Sequence, residues 1–115
     1  MTLRILITTA AVALGLAMAH PAYAQDQAAA KGPAVYAAKN CGLCHSIAGK
    51  GNTKGPLDGV GTKLTADEIR AWIVTPKEMT AKTKAARQPA MPVTAKLSKD
   101  EIDALVAYLG SLKSK

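Results

Sequence analysis

The chain has 115 residues, of which 15 are Lys or Arg and 8 are Asp or Glu, giving a net charge of +7. That length is one domain, and so small a chain, with no phenylalanine, rarely builds a self-sufficient core. Basic charge alone suits nucleic acid or an anionic membrane, but the sequence holds neither a nucleic-acid motif nor a stacking array of aromatics, so the charge better matches an acidic protein partner.

Residues 1–24 have the layout of a secretory leader: Arg4, an apolar stretch from Ile5 to Ala19, and Ala22-Tyr23-Ala24 as an A-x-A cleavage site. The alternative is an uncleaved anchor. About fifteen apolar residues, broken by His20-Pro21, fall short of the roughly 20 that span a bilayer. Cleavage after Ala24 and export to the periplasm are therefore expected, with no transmembrane anchor left after processing. Loss of Arg4 leaves 14 basic against 8 acidic residues, a net +6. Residues 25–31 read as a flexible lead-in, and residues 32–115 as the folded domain. A short helix is expected over 32–40, with Val35, Tyr36 and Ala38 available for burial.

That helix runs into Cys41-Gly42-Leu43-Cys44-His45, a string that reads as a c-type haem attachment site. Two thiols add to two vinyl groups on one porphyrin edge, and a single helical turn spans both. The histidine that follows is then held beneath the iron as an axial ligand. A thioredoxin-like disulfide would use the same cysteines but needs a βαβ setting, and the flanks lack strand-like alternation. Structural zinc normally takes four Cys or His ligands, one more than is available here. A disulfide across two residues would close a tiny loop and stabilise little. A covalently tethered haem would also supply the apolar mass that the composition lacks.

From Ser46 to Lys63 glycine dominates, with Pro56 among five glycines, so an irregular loop wrapping something flat is expected. Thr65-Ala66-Asp67-Glu68 is a capping box. The helix it opens carries Ile69, Trp72 and Ile73 at core spacing and ends before Pro76. Residues 76–96, punctuated by Pro76, Pro89 and Pro92, are expected to be mostly loop with one turn of helix at most. Ser98-Lys99-Asp100-Glu101 is a second capping box. It opens the best helix of the chain, with Ile102, Leu105, Val106, Leu109 and Leu112 along one stripe. No repeat and no clear strand signal is present.

The second face of a haem iron needs a ligand. After cleavage His45 is the only histidine, so a bis-histidine site within one chain is excluded. Met79 and Met91 remain, and thioether with histidine gives an electron-transfer centre of raised potential. Met91 is favoured because the prolines of Pro89-Ala90-Met91-Pro92 restrict the backbone and remove competing donors. It also precedes the last helix, whose packing would hold the loop. Met79, among Lys77, Glu78, Thr80 and Lys82, is expected to be exposed. An open sixth position would mean gas binding or peroxidase-like chemistry; lysine ligation is also open, though nothing singles out one lysine.

Taken together, the CxxCH string, Gly55-Pro56-Leu57, Met91-Pro92 and the closing Leu-Ser-x-x-Glu-Ile helix resemble a class I monohaem bacterial cytochrome c over nearly all of residues 32–113. The resemblance implies an all-α fold of three main helices, plus short helical turns, around one haem c (iron) per chain. It assigns Cys41 and Cys44 to the thioethers, His45 to the proximal position and Met91 to the distal one. It further implies that the Pro56 carbonyl accepts the free imidazole N–H, and that the Trp72 indole bonds a haem propionate. Gly32 and Tyr36 would cross the last helix at Leu105 and Tyr108. Pro89-Ala90 stands where many relatives carry a Lys or His.

The function expected is a non-enzymatic, monomeric, periplasmic one-electron carrier that meets acidic redox partners. Lys50, Lys54, Lys82, Lys84, Arg87 and Lys96 are candidates for a basic docking rim. The competing readings are a small cytochrome subunit held in a dehydrogenase or oxidase complex, a haem ligand-binding or peroxidase-like protein, and a haem-free thiol oxidoreductase.

Overall fold

The computed structural model describes residues 21–92 and 96–115, so most of the expected leader lies outside the described residues. The architecture is all-α. Helix α1 (Pro21–Ala38) is followed by a 3₁₀ turn at Cys41–Leu43 and a two-stranded antiparallel ribbon, β1 (Ser46–Ile47) and β2 (Lys50–Gly51). Then come α2 (Val60–Lys63), α3 (Ala66–Val74), α4 (Pro76–Thr83) and α5 (Lys99–Ser111).

Helix α1 is longer than the span 32–40 expected from sequence. Residues 25–31, expected as a flexible lead-in, form part of it. Alanine has the best helix propensity, and Ala28 and Ala29 are half-buried, which gives these turns something to pack.

The most extensive helix contact joins α1 to α5. Gly32 is buried at the crossing. A β-carbon there would lie 2.7 Å from Tyr108 Cγ and 2.8 Å from the Ala104 carbonyl, so only glycine admits this approach. One turn on, the Tyr36 and Tyr108 rings meet edge to face, with centroids 6.4 Å apart and planes at 77°. That geometry suits the aromatic quadrupoles.

Helices α3 and α5 close the core. Ile69 and Ile73, four residues apart, bury one face of α3 against Leu105, Val106 and Leu109 of α5. Ile102 and Leu112, at the ends of the α5 stripe, are only partly buried. Both predicted capping boxes form. The Thr65 amide donates to Glu68 at 2.8 Å and the Glu68 amide returns to Thr65 Oγ1 at 3.2 Å. Ser98 and Glu101 repeat the exchange at 2.9 and 3.2 Å. Each satisfies two amides that a helix start otherwise leaves unpaired.

Three further expectations are corrected. The Gly-rich stretch contains the β1–β2 ribbon and the single turn of α2, in addition to irregular backbone. The segment after Pro76 is helical for eight residues instead of mostly loop. Proline at the first helical position loses no bond, and the hydroxyls of Thr80 and Thr83 return to the carbonyls of Pro76 and Met79 at 2.8 and 2.7 Å. Met79, expected at the surface, is buried at 8% exposure. Its apolar chain turns inward from an otherwise polar helix.

Candidate haem site

The attachment turn is built by the exit from α1. Asn40 adopts a left-handed conformation (φ 56°) and redirects the chain. The amides of Cys44 and His45 then both donate to the Cys41 carbonyl, at 3.2 and 3.0 Å. One tight turn thus carries both thiols, which are free and half-buried, with His45 immediately after.

His45 is oriented by the loop that follows. Its Nδ1 lies 3.1 Å from the Gly55 carbonyl. A carbonyl only accepts, so Nδ1 carries a proton, and in the neutral ring Nε2 then keeps its lone pair. Burial pushes the imidazole pKa down, the Gly55 bond opposes this, and the Arg87 charge adds to the lowering. The lowering favours the neutral ring, the form that ligates a metal. Burial likewise pushes the Cys41 thiol up.

The imidazole acceptor is Gly55, one residue before the Pro56 carbonyl that the resemblance implies. The reason is the local pairing. The Ser46 amide donates to Gly55 O at 3.1 Å and the Leu57 amide to Ser46 O at 2.8 Å, in a parallel bridge between Ser46 and Pro56. Residues 55 and 57 turn their polar groups toward the histidine loop. Proline, which has no N–H, occupies the position between them and is exposed.

These groups open onto a cavity of about 330 Å³. Cys41, Cys44 and His45 line it from the attachment turn, and Pro89, Ala90 and Met91 from the segment before α5. Trp72 of α3 and Tyr36 of α1 complete the sequence-predicted set. Pro56 is not among the lining residues, and neither is Met79. The sequence leaves the aliphatic lining unassigned; it is supplied by Leu57, Val60, Leu64, Ile69, Ile73, Leu105 and Leu109. Helical periodicity marks the last four as core but not which part of the core they surround.

The donor set fits a c-type haem. Two thiols on one turn, a neutral imidazole with Nε2 free and a thioether face one apolar cavity. The hydroxyl of Tyr36, another lining residue, is also buried with no hydrogen-bond partner among the described residues, so the protein alone leaves a polar atom to be satisfied. Burial, and next the nearby Cys41, hold that phenol above its ordinary pKa.

Of the proposed rim, Lys50, Lys54, Lys82, Lys84, Arg87 and Lys96 are all exposed. Arg87 differs from the rest because it also lines the cavity and its Nη2 donates to the Cys44 carbonyl. No motif in the sequence marks that bond, which spans 43 residues.

A search of curated proteins and a search of solved structures each returned no match. The family model described as Cytochrome c matches residues 29–113, which takes in the attachment turn, the Gly55 loop, Met91 and all of α5. Proteins of that family hold haem c through a cysteine pair spaced like Cys41 and Cys44, and use it to transfer electrons to and from redox partners. On this match and this donor set, the chain belongs to the cytochrome c family.

Proposed function

We propose that the chain is an exported, monomeric one-electron carrier holding a single haem c. Cys41 and Cys44 would hold the group through thioethers, and His45 Nε2 and the Met91 thioether would ligate its iron. The reading rests on one observation: these four side chains line the same apolar cavity. When bound, haem c supplies the Fe(II)/Fe(III) couple.

The remaining chemistry is the chain's own. The Gly55 carbonyl holds the His45 ring in one orientation and increases its basicity. Leu57, Val60, Leu64, Leu105 and Leu109 exclude water, so little solvent must reorient when one charge is exchanged. Trp72, which lines the cavity, would offer its indole N–H to a propionate. The exposed lysines raise the rate of encounter with acidic partners. No helix among the described residues is long and apolar enough to cross a membrane.

The test is direct. Protein purified from the periplasm and unfolded in acid is expected to retain its colour, with a mass one haem above the polypeptide and an N-terminus at Gln25. Pigment that separates from the chain would overturn the reading. Rapid, tight carbon monoxide binding by the ferrous protein would replace the carrier with a ligand-binding protein.

A further inference from the structure

Arg87 is exposed, yet it also lines the cavity. Nη2 donates to the Cys44 carbonyl, and the head group lies over Gly55. A β-carbon at Gly55 would be 2.6 Å from Arg87 Cζ, so glycine is what leaves the guanidinium its seat. Both contacts belong to the groups that set His45: Cys44 precedes it, and Gly55 is its imidazole acceptor.

On the other side, Arg87 is four residues from Met91. Helix α4 ends with Lys84 in a left-handed conformation (φ 53°), and residues 85–90 are exposed. Among the described residues, the segment 86–91 makes this one hydrogen bond to the rest of the fold. This exposed segment presents the methionine, and among the described residues one charge-assisted bond ties it to the histidine side.

We propose that Arg87 is a positioning residue, a latch that fastens the Met91 segment to the Cys44–Gly55 loop and so keeps the Met91 thioether in place. The inference rests on the His45/Met91 reading above. Arginine suits the task because its planar head can donate to the carbonyl while lying flat on Gly55. Lysine is a point donor and lacks that shape.

The experiment is displacement of the methionine by imidazole in the ferric holoprotein, followed by loss of the weak red methionine-to-iron band. Imidazole competes only when the Met91 segment opens, so its apparent affinity reports the open fraction. Arg87→Gln is expected to raise that affinity about tenfold, the order of one hydrogen bond made by a charged group. Arg87→Lys is expected to fall between wild type and Arg87→Gln. Lys50→Gln removes the same charge from the rim without touching the latch, and is expected to match wild type. Wild-type affinity in Arg87→Gln, or an equal rise in Lys50→Gln, overturns the latch and leaves the carrier reading intact. A wild-type protein with no covalent haem, or with no methionine band, overturns that reading and the latch with it.

Discussion

Met79 and Met91 carry the same thioether, and their surroundings separate them. Met91 lines the cavity beside Pro89 and Ala90, whereas Met79 is buried in α4 away from it. Met91→Ala is therefore expected to abolish the methionine-to-iron band in the ferric spectrum. Met79→Ala should keep the band but lower stability by about 2 kcal/mol or more, as for other buried methionines truncated to alanine. Band loss in Met79→Ala alone would reverse the assignment. That Met91 would reach the cavity was legible from its neighbours, since prolines on both sides predict a constrained loop. That Met79 is buried was not legible, because its polar neighbours occupy the other faces of the same helix. The Gly55 acceptor and the Arg87 bond were hidden for a related reason. Each depends on which way one peptide or one long side chain turns, and residue type does not encode that.

At the scale of elements, the α1–α5 crossing depends on the absence of a side chain at Gly32. Gly32→Ala places a β-carbon against Tyr108 and the Ala104 carbonyl. It is expected to cost about 1–3 kcal/mol, as overpacked sites do, read as a lower thermal midpoint of the holoprotein. A gain in stability, the usual result of Gly→Ala in an open helix, would show that the helices do not meet this closely. The α5 cap makes a pH-dependent contribution. The Ser98 amide first, and then the Lys39 ammonium 3.0 Å away, hold the Glu101 carboxyl below its ordinary pKa. A depressed carboxylate contributes stability above its unfolded pKa, and that contribution is lost as pH falls through the lower folded value. Glu101→Gln is thus expected to melt below wild type at neutral pH, with the gap closing on acidification past about 4.5, the ordinary glutamate value. A gap that stays constant down to acid would place its origin elsewhere. Both capping boxes were readable because they are local in sequence, four residues closing on themselves. Helix α4 was misread for the converse reason: proline is a breaker within a helix and a good first residue, and only the fold decides which it is.

For the whole molecule, two properties follow from composition. The processed chain would carry +6, so its association with an acidic redox partner is expected to slow steeply with salt. Between about 0.01 and 0.15 M the Debye length falls from roughly 30 to 8 Å. Stopped-flow rates that stay flat over this range would remove electrostatic steering from the mechanism. The core is also thin. Among the described residues its central cluster comes from α3 and α5 alone, and the cavity it faces takes up space that a self-sufficient domain would fill with side chains. A Cys41→Ser/Cys44→Ser chain, unable to hold the group covalently, is expected to melt far below wild type by circular dichroism; an unchanged midpoint would show that the polypeptide folds without help.

Sequence alone determined what is encoded by short-range spacing: the CxxCH turn, the two capping boxes, the amphipathic stripe of α5 and the proline-flanked methionine. These are relations within a few residues, where backbone geometry leaves little choice. Tertiary structure decided what depends on approach between distant segments. That includes the leucine, isoleucine and valine side chains that line the cavity, the carbonyl that orients His45, the inward turn of Met79 and the reach of Arg87 across 43 residues to Cys44. Those contacts are set by how the helices pack and which surfaces they bring within a few ångströms, and no local pattern specifies that.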